Sequence, residues 1–478
     1  MKNSSLTQLL AALSKKEHRA LGKWLRSPFF NQRKDVIQLY DYFNQVGQVA
    51  DQSLDKPSVF AHLFPGESYN DSKLRHTMSF LLRQIKHFLA YQKWQSRPCE
   101  STIAEVEAMR QYDQETLFYK TVDTVNKHLE QSQDLTHLHH FYHYQVHLEQ
   151  YRISLKKSRI KAMNLQQVSD ALTTFYVAET LRVSCLMIAH QSVTTQEYRP
   201  QMLSEVLEKS RQAPFCDLPE VAIYYYAYGA LSRPEAAVYF DRLKQLITTH
   251  WQRFALDEMR DIYLLAINYC IKKLNSGEKH FIGQALDLYK IGLEKSILLE
   301  NGILSRFTYN NVLTLSLMSN DFAWARSFLE TYQAYLPTDS RRNTYLYNLT
   351  IYHFKKQEYL KVMELLQQVQ FRDVLYNLDT RRMLLRSYFE IGAFDALDSL
   401  LDSFMVFIRR RRDLGYHKEN FKNLIKFTKK LLAIEHQKQA LIQLQDAVEQ
   451  TSAVADKEWL IEKIRGKIAG VRPNENVR

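Results

Sequence analysis

From residue 306 onward one apolar signature recurs: an aromatic at a helix start, then apolar residues three, seven and ten positions later. The copies are Phe322, Ala325, Leu329 and Tyr332, then Tyr359, Val362, Leu366 and Val369, then Phe394, Leu397, Leu401 and Phe404, with steps of 37 and 35 residues between them. Those offsets fall on one face of a helix of about 3.6 residues per turn, and a period near 35 predicts stacked helical hairpins. No single hairpin can bury such a face alone, so the pattern predicts an array rather than one compact core.

Composition agrees. Gly is 12 and Pro 10 in 478 residues, well under averages of roughly 7% and 5%, and strands, tight hairpins and phosphate-cradling loops would need more of both. Aromatics make up 12% of the chain, enough to build many thin helix-on-helix interfaces. At this length several domains or an extended array is expected.

Punctuation divides the chain. A basic N-terminal helical region covers 1–97. Within it Ser14 and Glu17 form a capping box that opens a helix toward Leu25, Pro28 ends that helix, and Asn31 is placed to cap the next, whose apolar side holds Val36, Leu39, Tyr40 and Phe43. Pro65-Gly66 breaks a short helix over 57–63, and Asp71 is expected to cap a long helix to about Trp94. Residues 98–215 predict longer, less regular helices, 216–470 a regular array of hairpins, and 471–478 a polar, disordered tail. The hairpins fall near 220–250, 256–300, 303–336, 340–371, 377–412 and 416–450, with a closing helix over 455–469.

The three clearest copies, over residues 306–412, resemble tetratricopeptide (TPR) repeats. With Phe322, Tyr359 and Phe394 opening the second helix, the resemblance places Asn320, Gln357 and Gly392 in the turn and Ala325, Val362 and Leu397 where the helices cross. Ala325 and Pro337 match the family pattern. The first-helix glycine is replaced by Leu313, Thr350 and Leu385, which should splay the hairpins, and the first-helix aromatic is kept at Tyr309 but replaced by Leu346 and Arg381. What the resemblance implies is an all-α, right-handed α-solenoid of TPR-like helical hairpins. Its concave surface, lined by first helices and including Arg306, Tyr309, Asn310, Asn343, Tyr347, Arg381 and Arg382, would receive a peptide or protein surface.

Chemistry finds few footholds. No phosphate-binding glycine loop, dinucleotide fingerprint, nucleophile elbow or H-E-x-x-H occurs, so no enzyme activity, catalytic residue or cofactor is expected. Cys99, Cys185, Cys216 and Cys270 are isolated and predict half-buried reduced thiols of a cytoplasmic protein. No secretory leader is seen, and no run of 18 apolar residues, so no membrane association is expected. His139, His143 and His147 fall on one helical flank beside His137 and His140, but no carboxylate or cysteine stands at ligand spacing. That favours a polar face, with Leu138, Phe141, Leu148 and Tyr151 buried, over a metal site.

Charge is segregated. The stretches 15–34, 73–97, 152–161 and 405–440 carry a net +24 between them, where the whole chain carries +12. On the helix from Asp71 the stripe Leu74, Met78, Leu81, Ile85, Phe88 and Leu89 is apolar, whereas His76, Arg83, Lys86 and Lys93 lie opposite and residues 72–99 contain no acid. Farther on, Arg409, Arg410, Arg411 and Arg412 close a helix and are followed by Lys418, Lys422, Lys426, Lys429 and Lys430. Each cluster suits a solvated face, an acidic neighbour, or phosphates. Function is therefore expected to be a non-enzymatic cytoplasmic scaffold for a protein or peptide partner. The alternative is a nucleic-acid-binding protein using the surfaces at 73–93 and 409–430. Oligomeric state is left open.

Overall fold

A computed structural model of the chain describes residues 4–46, 55–131, 138–157, 160, 162–192, 194, 196–368, 374–411, 414–415, 417–434 and 437–470. The protein is all-α. The described residues form α-helices, short 3-10 turns and one two-residue ribbon, in which Leu299–Glu300 (β1) pairs antiparallel with Ile303–Leu304 (β2). Val369, Arg412, Tyr416 and His137, and the expected tail at 471–478, lie outside the described residues. The chain separates into two compact units. One comprises Met1–Met187, Thr195–Tyr225 and Thr249–Ala255, and the other Ile188–Thr194, Tyr226–Thr248 and Leu256–Arg478.

The first unit begins with α1 (Ser5–Ala12), α2 (Lys15–Arg26), α3 (Lys34–Val46), α4 (Lys56–Leu63) and α5 (Asp71–Gln95). Leu21, Leu25, Leu39, Phe60, Leu74 and Ile85 are buried together at their centre. The capping box forms as the sequence demands: the Ser14 N–H donates to Glu17 Oε2 (2.7 Å) and the Glu17 N–H to Ser14 Oγ (3.3 Å). Two expected caps differ. Asn31 does not cap α3; it is buried and closes the α2–α3 turn, its Nδ2 donating to Leu25 O (2.8 Å) and Arg33 O (3.1 Å) and its Oδ1 accepting from Arg33 N–H (3.1 Å). Asn70, not Asp71, caps α5, accepting the Lys73 N–H at 3.0 Å. Asp71 instead pairs with Lys56 (2.8 Å) and Arg75 (2.7 Å).

This unit continues with α6 (Pro98–Gln111), α7 (Glu115–Gln131), α8 (His139–Lys157), most of α9 (Leu165–Gln191) and α10 (Leu203–Lys209). The buried side of α8 is Tyr142, Val146, Glu149 and Ile153, not the expected Leu138, Phe141, Leu148 and Tyr151. A carboxylate on the inner face hid the true stripe. Glu149 can be buried because the guanidinium groups of Arg110 and Arg152 both reach it. Helix α9 holds an 18-residue window of mean hydropathy 1.3, of which 22% is buried, and is by length and composition able to cross a membrane. Asp170, Glu179 and Arg182 interrupt its apolar run, so a search for consecutive apolar residues passes over it.

The second unit receives the later part of α11 (Pro219–Ser232) and most of α12 (Ala237–His250). It continues with α13 (Leu256–Asn275), α14 (Phe281–Glu294), α15 (Arg306–Met318), α16 (Phe322–Tyr332), α17 (Arg341–Lys355), α18 (Tyr359–Gln367), α19 (Val374–Glu390), α20 (Phe394–Arg410), α21 (His417–Ala433), α22 (Lys438–Gln450) and α23 (Lys457–Gly470). From α13 on, every helix packs against the next, α15 also against α17 and α21 also against α23.

One turn geometry recurs through this unit. Asn320, Gln357 and Gly392 all take left-handed backbones, φ 59°, 60° and 75°. After each, the next N–H donates five residues back: Asp321 to Ser316 O (3.0 Å), Glu358 to His353 O (3.0 Å) and Ala393 to Tyr388 O (2.9 Å). That bond satisfies carbonyls orphaned at the helix end, and the left-handed residue lets the chain reverse into the second helix. Ala325, Val362 and Leu397 are fully buried, as are Leu313, Thr350 and Leu385. Thr350 is tolerated there because its hydroxyl donates to Leu346 O at 2.8 Å. A fourth such turn stands at Gly277 (φ 97°), where the Glu278 N–H donates to Lys273 O at 3.1 Å ahead of buried Phe281. A template with the aromatic two residues after the turn misses it, because here the gap is four.

The cysteines are free, but not uniformly half-buried. Cys185 and Cys270 are buried, Cys99 is intermediate and Cys216 exposed, and burial pushes the Cys270 thiol up to about 12.

Candidate functional site

Four groups of residues singled out above can be followed into the structure, two in the first unit and two in the second. Of the first-helix residues, Arg306 and Asn343 are exposed. Tyr309 is fully buried, its hydroxyl donating to Leu329 O at 2.9 Å. Asn310, Tyr347 and Arg382 belong to a continuous polar chain that sequence does not reveal. Asn348 Nδ2 donates to Asn310 Oδ1 (2.6 Å), and Asn310 Nδ2 to the Tyr376 hydroxyl (2.8 Å). The Tyr376 ring stands edge-on to Tyr347 at 4.7 Å. Tyr347 then donates to Asp379 Oδ2 (2.7 Å), and Arg382 Nε donates to Asp379 Oδ1 (2.8 Å).

The chain ends in a charged knot. Arg382 Nη1 reaches both oxygens of Asp456 (3.0 and 2.9 Å), a residue of the α22–α23 connection, and Arg386 lies 3.3 Å from the same carboxylate. Burial works to lower the Arg382 pKa, but Asp379 and Asp456 overcome it and hold it above the ordinary value. Burial, then Asp379, raises the Tyr347 phenol. Arg382 is therefore a tie between α19 and the chain entering α23. Arg381, on α19, packs against aromatic rings of α20. Its guanidinium sits 4.8 Å from the Phe407 ring centroid and 5.9 Å from that of Phe404. Its Nε is buried without a hydrogen-bond partner, and burial lowers its pKa.

The basic ridge at 409–430 is interrupted. Arg409 and Arg410 are exposed in the last turn of α20, where cations complement the helix end. The Arg411 guanidinium leans over Phe407 at 5.8 Å. On α21, Lys422 and Lys426 face solvent, but Lys422 lies 3.4 Å from Glu419, Lys429 pairs with Asp402, and Lys418 donates to Arg411 O at 3.3 Å. Phe421 and Phe427 are core residues, the Phe427 ring lying 5.9 Å from Lys426 Nζ, and neither offers an exposed ring beside these cations.

The α5 surface in the first unit is different. Its inner stripe of Leu74, Leu81, Ile85 and Phe88 is buried, with Met78 and Leu89 partly so. His76, Arg83, Lys86, His87 and Lys93 all face solvent. Among the described residues no carboxylate lies within ion-pair distance of Arg83, Lys86 or Lys93. Arg83 stacks on Phe80 at 4.5 Å, a ring that Arg33 also approaches at 4.8 Å.

The histidines of α8 are half-buried rather than solvated. Ring centroids of His139 and His143 are 4.8 Å apart and those of His143 and His147 6.3 Å, while His140 Nε2 lies 2.6 Å from Glu220 Oε1. Burial, then His140, pushes His139 down to about 4; burial and the neighbouring histidines do the same to His143. Among the described residues no three His, Cys, Asp or Glu side chains are grouped to hold a metal ion.

The second unit also carries a cleft of about 310 Å³ between α14 and α16, lined by Lys290, Glu294, Trp324, Phe328 and Tyr332. Trp324, Phe328 and Tyr332 stack along α16 with centroids 5.4 and 5.3 Å apart. No protein-family model, curated protein or solved structure matches the chain.

Proposed function

We propose that this chain is a non-enzymatic cytoplasmic scaffold, a TPR-like right-handed helical solenoid that binds a protein or peptide partner. The observation that carries the reading is the recurrence within the second unit of one turn geometry at 277, 320, 357 and 392, each joining successive packed helices. Repeats of this kind bury a continuous core between neighbours and leave long rows of outward side chains free for recognition. The polar chain from Asn310 to Asp456 makes the first helices rigid rather than sticky. Partner contact falls instead to exposed Arg306, Phe307 and Asn343 and to the aromatic cleft of α14 and α16.

A photo-crosslinking amino acid placed at Phe307 or Ser327 in cells tests this. A protein adduct that survives nuclease, and that weakens on Arg306→Glu or Trp324→Ala, is the expected result. Absence of adduct at both positions, or adducts that nuclease removes, would overturn the reading. The second reading, nucleic-acid binding, gains support at 73–93 but not at 409–430, where acids and buried aromatics interrupt the cations.

A further inference from the structure

Beside the cations of α5 stands a tier of aromatic rings drawn from two distant segments. Trp24 of α2 stacks on Phe30 at 3.6 Å with 12° between planes. Tyr91 of α5 lies 5.4 Å from Trp24 and 6.2 Å from Phe30, and Trp94 lies 6.0 Å beyond Tyr91. Phe29 stands edge-on to Phe30 at 5.0 Å and 88°, with 87% of its surface exposed. Tyr91 and Trp94 are 40% and 39% exposed.

Exposed rings gathered into one contiguous patch, rather than scattered singly, mark a surface used for interaction. The turn that holds Phe29 is not slack. Phe30 and Asn31 N–H groups donate to Ser27 O (3.1 and 3.0 Å), and the buried Asn31 side chain ties the turn to Leu25 and Arg33. Trp24 is fixed as well, since its Nε1–H donates to Gln84 Oε1 at 3.1 Å. The rings are thus oriented before any ligand arrives.

We propose that Trp24, Phe29, Phe30, Tyr91 and Trp94, with Arg83, Lys86 and Lys93, form a binding surface for single-stranded nucleic acid. The ligand must be anionic, because α5 presents unpaired cations and the sequence has no acid from 72 to 99. It must also offer flat faces to exposed rings. Unpaired bases on a phosphate backbone supply both, stacking on aromatics while Lys and Arg follow the charge. An acidic peptide has the charge without the planes, and a duplex keeps its bases stacked inside. A bilayer would ask α5 for an apolar outward face, but that face carries His76, Arg83, Lys86 and His87. From Phe80 to Trp94 the strip runs about 21 Å at the helical rise of ~1.5 Å per residue. This surface lies in the first unit and is independent of the scaffold reading.

The test is fluorescence anisotropy of the full chain with labelled oligothymidylate and oligouridylate of roughly 20 nucleotides, against a duplex of equal length. Anionic vesicles of phosphatidylserine and phosphatidylcholine run in parallel. The expected result is single-strand binding that falls steeply with salt, quenches tryptophan fluorescence and exceeds duplex binding. Phe29→Ala, at the 87% exposed ring, should weaken it on the order of 5- to 150-fold per stacked base lost at unchanged melting temperature, and Tyr91→Ala should weaken it further. Replacing Arg83, Lys86 and Lys93 by Gln should flatten the log–log salt slope by about 2. No single-strand binding at low salt, equal affinity for duplex, indifference to the aromatic substitutions, or binding to vesicles alone would each overturn the proposal.

Discussion

Replacing Arg382 by Met keeps the long apolar stem but removes the charge shared by Asp379 and Asp456. Removing one partner of a buried ion pair costs about 3–5 kcal/mol, since the remaining charge stays desolvated. Here Arg382 keeps 22% and Asp456 16% of side-chain exposure, and Arg386 still lies 3.3 Å from Asp456. The expected loss is therefore about 2–3 kcal/mol. For a folding unit of roughly 250 residues, each kcal/mol lowers the melting temperature by about 2–4 °C, giving a fall of about 4–12 °C. Calorimetry resolves this, and hydrogen exchange should locate the loosening in α19 and α23. Arg382→Met combined with Asp456→Asn should cost less than the two single changes summed, because no orphaned carboxylate is left at 456. Arg409→Ala, at an exposed helix end, should stay within about 0.5 kcal/mol of the parent. A melting temperature for Arg382→Met within about 1 °C of wild type would refute the reasoning. The same geometry bears on any charge reversal used to test Arg381 and Arg382 as partner-binding residues. Loss of capture in an Arg382→Glu protein would report instability as readily as a lost surface.

Other expectations follow from the same kind of geometry. Gln357→Gly should stabilise the second unit by roughly 0.5–1 kcal/mol and Gly392→Ala destabilise it by about 1–2 kcal/mol, because both positions need a left-handed backbone; equal effects of one sign in chemical denaturation would contradict this. His139 and His143 are held neutral near pKa 4 against an ordinary 6.5, so their contribution is present above pH 6.5 and is lost as pH falls through 6.5 toward 4. The first unit should lose at most roughly 3 kcal/mol per histidine over that window, with Glu220 and Arg253 as the charged groups facing His139. His139→Gln with His143→Gln should flatten the pH dependence of urea unfolding, and an unaltered slope would count against the assignment.

Local pattern made much of the helical framework legible. The 37- and 35-residue steps placed Phe322, Tyr359 and Phe394 at helix starts, and the resemblance placed Asn320, Gln357 and Gly392 in the turns before them. The capping box at Ser14 and the exposed cations of α5 could be read directly, since each depends on neighbours a few residues away. Elsewhere the pattern misled. Glu149 sits on the inner face of α8, which periodicity assigns to solvent, because Arg110 approaches it from another helix. Arg381 and Arg382 read as a free basic pair until Phe407 and Asp456 are brought to them.

The amino-acid sequence by itself determined the helices, the apolar period and the segregation of charge, since turns, caps and amphipathic faces are settled within a few residues along the chain. Tertiary structure alone decided which charges are spent and which are free. Asp456 meets Arg382 across 74 residues, and Trp24 of α2 meets Tyr91 near the end of α5. Coulomb attraction, hydrogen bonding and ring stacking act over a few ångströms of space, and nothing in chain order records which distant residues packing will bring that close.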